Sequence, residues 1–94
     1  MVMSRSRLNV KYSGTVQGVG FRYTVKSLVT GYEVTGVVKN LADGRVELTA
    51  EGEREELEAF AKGVLESGLG PLIRNTEVTW AEPRGEFKGF AIAG

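Results

Sequence analysis

The chain has 94 residues, its 12 basic and 12 acidic side chains balance, and it contains neither cysteine nor histidine. That length supports one domain, residues 1–94, with a modest core, and the balanced charge gives no field of one sign to draw nucleic acid or an anionic membrane. Without cysteine or histidine there is no disulfide, thiolate zinc site, cysteine–phosphate or phosphohistidine intermediate, or Ser-His-Asp triad, and most transition-metal sites are excluded. Residues 1–6 lack a pattern and are expected to fray. Leu8, Val10 and Tyr12 alternate with Asn9, Lys11 and Ser13, which predicts a half-buried first strand. A loop with Gly14, Gly18 and Gly20 follows. Phe21, Val25, Leu28, Val29 and Tyr32 then recur at helical spacing, in a helix that its Thr and Val content weakens, with Gly31 as its C′ residue.

Residues 34–39 and 45–51 read as the second and third strands. In the third, Val46, Leu48 and Ala50 point inward, and Glu47, Thr49 and Glu51 point outward. The joining segment 40–44 ends in the Asp43-Gly44 turn signal, and Gly52 closes the strand. The clearest helix is 53–67. Leu57, Phe60, Ala61, Val64 and Leu65 form its apolar stripe, Glu53, Glu55 and Glu56 sit where the dipole favours acids, and Gly68, Gly70 and Pro71 end it. A fourth strand over 73–80 has Thr76, Val78 and Trp80 on one face. A turn at 83–86 leads to a short last strand, 87–93, that contributes Phe90 and Ile92. There is no repeat, no second domain, no apolar run of membrane-span length and no visible signal peptide, so a cytoplasmic protein is expected.

The order βαββαβ plus a short terminal strand predicts an α/β (α+β) fold, the ferredoxin-like split βαβ sandwich. Two helices would cover one face of an antiparallel sheet. Leu8, Val10, Tyr12, Val46, Leu48, Leu57, Phe60, Val64, Val78 and Phe90 are its expected core. The first strand would lie beside the third, so the loop after strand one and the turn after strand two approach at one rim. Arg22 and Asn40 can converge there.

The glycine loop opens a helix. Its unpaired amides and the helix dipole can form an anion site, and Arg22 carries a planar donor fork suited to phosphate oxygens. The same spacing also serves merely to turn a corner, and it fits neither the Walker A loop nor the G-x-G-x-x-G fingerprint. Other candidates have plainer readings. Glu53, Glu55, Glu56 and Glu58 are a solvated helix face before they are a metal cluster, and no metal site is expected. Asp43 makes its turn before it acts as a base. Tyr12, Trp80 and Phe90 are core positions before they are a base-stacking platform.

Gly14-Thr15-Val16-Gln17-Gly18-Val19-Gly20-Phe21-Arg22 matches the acylphosphatase signature G-x-V-Q-G-V-x-[FM]-R at every specified position. Gly36, Val38, Lys39, Asn40, Gly44, Val46 and Gly52 match the family's second signature, and Val37 departs from it where an aromatic is usual. The chain therefore resembles the acylphosphatases. The resemblance implies hydrolysis of carboxyl–phosphate anhydrides without a cofactor or metal. Phosphate would be bound by Gln17, Gly18, Val19, Gly20, Phe21 and Arg22, and the attacking water would be oriented by Asn40. The implied partners are a small acyl phosphate and inorganic phosphate, with no nucleic acid or membrane, and the protein is expected to be a monomer. The alternative is a non-catalytic ferredoxin-like module that binds an anion or a protein, or a domain of a larger carbamoyl-phosphate-using protein.

Overall fold

The structure, a computed structural model, describes residues 4–94. Residues 1–3 of the segment expected to fray lie outside the described residues. Arg5 and Ser6 of that segment instead belong to the first strand. They pair with Glu53 and Gly52, and the Arg54 amide donates to the Ser4 carbonyl at 2.9 Å. The elements are β1 (Arg5–Gly14), α1 (Phe21–Leu28), β2 (Val34–Asn40), β3 (Val46–Glu53), α2 (Arg54–Glu66), β4 (Ile73–Ala81) and β5 (Phe90–Ala93). Short 3-10 turns at Val29–Gly31 and Gly70–Leu72 follow the two helices. Gly31 does not take the left-handed conformation expected of a C′ residue, because α1 tightens into that 3-10 turn and leaves through extended Tyr32.

The strands lie in the order β4-β1-β3-β2-β5. The first four are antiparallel, as expected. β5 pairs with β2 in parallel, so the sheet is mixed rather than wholly antiparallel. The reason is the route of the chain. After β4, on one edge, residues 82–89 cross the sheet and deliver β5 to the other edge.

Both helices pack on one face. Leu8, Val10, Tyr12, Val38, Val46, Leu48 and Ala50 from the sheet meet Phe21, Val25, Leu57, Phe60 and Val64 from the helices in one apolar cluster. The Phe60 ring sits 5.4 Å from Tyr32 and 6.0 Å from Phe90, tilted and edge-on. Such pairs add to the stabilisation from burial alone.

Three core expectations change. Val78 pairs with Val10 and so shares its face, yet it is 53% exposed. The helices pack mainly over β1, β3, β2 and β5, and they reach this edge strand at Trp80, under Arg54, while Val78 stays uncovered. Leu65, one residue past Val64 on the helix, falls at the margin of the stripe and is also exposed. Thr49 and Glu51, read as outward, are buried. The crossing segment covers Glu51, and Asn9 Nδ2 donates to Thr49 Oγ1 at 3.0 Å. The Arg84 and Gly85 amides donate to Glu51 at 2.8 and 3.0 Å, and Arg7 Nη1 reaches it at 2.7 Å. Arg7 also pairs with Glu86 at 2.8 Å and lies over the Phe87 ring. Burial alone would raise the Glu51 carboxyl, but the two amides and the guanidinium outweigh it and hold the pKa below its ordinary value.

Candidate active site

The loop between β1 and α1 is fixed at both ends. At its start the Thr15 amide donates to the Leu72 carbonyl at 3.0 Å, and Val16 is buried in the core. At its end Phe21 packs against Tyr12, with ring centroids 5.2 Å apart. Between them Gly18 and Gly20 have φ of 77° and 76°, where a side chain would be strained. Gly20 is the N-cap of α1, and the helical ladder begins with the Thr24 amide donating to its carbonyl at 3.0 Å. The amides of Phe21, Arg22 and Tyr23 therefore have no partner within the helix. No acidic side chain occupies the first turn, so the positive end of the dipole is left uncompensated.

Asn40 approaches from the other side. It is the last residue of β2 and pairs with Val46, which pairs in turn with Tyr12. Opposed residues in an antiparallel ladder share a face, so Asn40 points to the side of the sheet that carries the helices. Its Oδ1 is buried and has no hydrogen-bond partner. Asp43 is held apart by the turn. Its carboxylate accepts from the Arg45 amide at 3.1 Å and from Arg45 Nε at 2.9 Å, and those bonds, the backbone one foremost, lower its pKa.

Val16, Gly18, Gly20, Phe21, Arg22, Tyr23 and Asn40 line one cavity of about 190 Å³. Of the residues the sequence singled out, Gly18, Gly20, Phe21, Arg22 and Asn40 thus meet there. Gln17 and Val19 are not part of the lining. The Gln17 side chain turns to the β2–β3 hairpin instead and donates from Nε2 to the carbonyls of Leu41 at 2.8 Å and Arg45 at 2.9 Å. Val37 pairs with Thr49 and Ala91. It lies on the face opposite Val38 and Asn40, so the missing aromatic falls on the far side of the sheet from the cavity.

Two further contributors carry no signature in the sequence. Arg22 Nη1 donates to the Ala93 carbonyl at 3.1 Å, so β5 anchors the guanidinium. A backbone oxygen has no side chain to betray it, and only the parallel placement of β5 brings it there. Tyr23, which is 68% exposed and borders the cavity, follows Arg22 on the helix. The arrangement combines amide and guanidinium donors for an anion with one free neutral acceptor.

Known proteins share this arrangement of elements. The sequence model of the family described as Acylphosphatase matches residues 8–92, from within β1 to within β5. An acylphosphatase of Thermococcus kodakarensis is 43% identical over 94 residues, covering 98% of this chain and 100% of the relative. One of Pelotomaculum thermopropionicum is 40% identical over 91 residues, covering 97% of this chain and 99% of the relative. The crystal structure of acylphosphatase from Bacillus subtilis aligns with a TM-score of 0.86 and 32% identity, over 95% of this chain and 99% of that one. The agreement spans the glycine loop, the hairpin and the edge strand that meets Arg22, and with it the chain belongs to the acylphosphatase family of hydrolases.

Proposed function

We propose that the cavity hydrolyses a small acyl phosphate to a carboxylate and inorganic phosphate. The observation that carries this reading is that Asn40, whose Oδ1 is buried and unpartnered, lines the same cavity as Arg22 and the open end of α1. An anion-binding module needs donors only. A buried neutral acceptor beside them suits a water molecule.

The phosphoryl group would be gripped by the loop amides that border the cavity, those of Gly18, Gly20 and Phe21, and by Arg22. A guanidinium has five N–H donors, so the bond to Ala93 leaves others free for phosphate oxygens. These donors stabilise the charge that spreads over the phosphoryl oxygens in the transition state. Asn40 Oδ1 accepts a hydrogen bond from the water and aims its oxygen in line at phosphorus. The P–O bond to the acyl group breaks, the carboxylate leaves with the electron pair, and the water's protons end on phosphate and bulk water. A carboxylate is a good leaving group, so little acid catalysis is required. The phosphate end is gripped and the acyl tail is left at the rim. A cysteine-free chain needs no oxidising compartment, and we assign the enzyme to the cytoplasm.

The test is hydrolysis of a model acyl phosphate with a chelator present, together with inhibition by inorganic phosphate. Turnover with competitive phosphate inhibition is expected. A protein that binds phosphate and does not turn over would be a binding module instead.

A further inference from the structure

We propose that the Gln17 side chain is a positioning residue that sets the distance between the phosphate-gripping loop and Asn40. The inference rests on the acyl phosphate reading above.

A primary amide tip carries two N–H donors, and both find carbonyls here, on Leu41 and Arg45. These two residues close the hairpin just beyond the Asn40–Val46 pair, where the Leu41 amide also donates to Arg45 at 2.8 Å. Gln17 is thus sewn to the chain one residue past Asn40. Among the described residues no other hydrogen bond joins residues 15–20 to residues 40–46.

The two halves of the site come from different connections in the fold. The donors follow β1, and the acceptor ends β2. Backbone pairing fixes the strands, but the loop is not a strand and has no ladder to set its height over Asn40. One side chain with two bonds supplies that constraint. Few residues can. Asparagine is one methylene too short to keep the loop where it is and reach both carbonyls. Glutamate would set acceptors against acceptors. Lysine would bring a charge toward two half-buried carbonyls.

A displaced loop still carries its amides and Arg22, so it still grips phosphate. The lost quantity is the alignment of water and phosphorus, which is sensitive to shifts of about 1 Å. Gln17→Met keeps the length of the side chain and removes both donors. Its kcat should fall roughly 10- to 100-fold, while the phosphate inhibition constant stays within about twofold of the parent. Asn40→Ala, measured beside it, should show the same signature, and Arg22→Ala should instead weaken phosphate inhibition. Should Gln17→Met fail to fold, Gln17→Asn carries the same comparison with a smaller loss expected. Parent-like kcat in the Gln17 variant, or an equal loss in kcat and in phosphate affinity, overturns the positioning role alone. An inactive parent, or an Asn40→Ala protein with parent kcat, overturns the acyl phosphate reading and the positioning role with it.

Discussion

Tyr12 and Asn40 lie on one row across the sheet, two strands apart with Val46 between them, and each holds a buried side-chain oxygen that has no hydrogen-bond partner. The two differ in surroundings. Asn40 borders the cavity, and Tyr12 is packed in the core against Phe21. A buried polar oxygen without a partner costs free energy, so the two positions should respond differently to its removal.

On the proposed reading, the Asn40 oxygen accepts a hydrogen bond from the attacking water. Asn40→Ala should lower kcat by about 100- to 1,000-fold, as losing one transition-state hydrogen bond does elsewhere. Phosphate inhibition should stay near the parent value, because the proposed grip on the anion lies with Arg22 and the loop amides. Asn40→Asp should be worse than its small change in size suggests, since a carboxylate is repelled by a phosphate dianion in a partly desolvated pocket. Steady-state hydrolysis by the three proteins checks both statements, and near-parent kcat in either variant contradicts the water-positioning role.

At Tyr12 burial pushes the phenol pKa up, so the group stays neutral, and its hydroxyl has no assigned bond. Tyr12→Phe should therefore be neutral or stabilising by up to about 1 kcal/mol. Urea unfolding measures it. A loss of stability greater than that would reveal a bond made by the hydroxyl.

Arg22→Ala removes the charged fork from the cavity. Transition-state stabilisation should drop by roughly 3 kcal/mol or more, and phosphate should inhibit more weakly. Arg22→Lys should recover only part of it, because a point charge on a flexible stem does not reproduce a planar fork held by Ala93. Equal kcat/KM in parent and Arg22→Ala would remove Arg22 from the site.

Glu51 gives the fold a signed pH dependence. Its pKa is held below the ordinary 4.5 in the folded protein. The stability it contributes is therefore complete above about pH 4.5 and is lost as the pH falls through the lowered folded value. Asp43, lowered by Arg45, acts in the same direction from an exposed site. Glu51→Gln should cost roughly 2 kcal/mol at neutral pH and should flatten the decline of stability in acid. Denaturant unfolding from pH 7 to pH 3 provides the curve. An unchanged acid slope in Glu51→Gln would assign the dependence to other carboxylates.

The parts of the fold legible in the sequence are those written in side-chain periodicity. Leu57, Phe60 and Val64 declare one face of α2, and Val46, Leu48 and Ala50 one face of β3. The strand order that follows puts the loop and the hairpin at one rim, where Arg22 and Asn40 line a single cavity. Periodicity tells which face a residue takes, but not what covers that face. Glu51 points away from the helices as its alternation says, and it is buried because a segment without regular structure crosses over it. Val78 points toward the helices and is exposed because no helix covers it. The direction of β5 was equally hidden, since four residues do not encode whether they join an edge in parallel. Gln17 stands between these cases. Its place in a glycine motif points to its backbone, whereas its side chain makes the longer-range connection.

The bond from Arg22 to Ala93 joins residues 71 positions apart. A ribosome adds about 5–20 residues per second, so the glycine loop and Arg22 exist for several seconds before Ala93 is made. During that interval the guanidinium has no Ala93 carbonyl to rest on. The anchored form of the cavity arrives with the last strand, so a stalled chain that ends before β5 carries the loop motif intact while its arginine is still untethered.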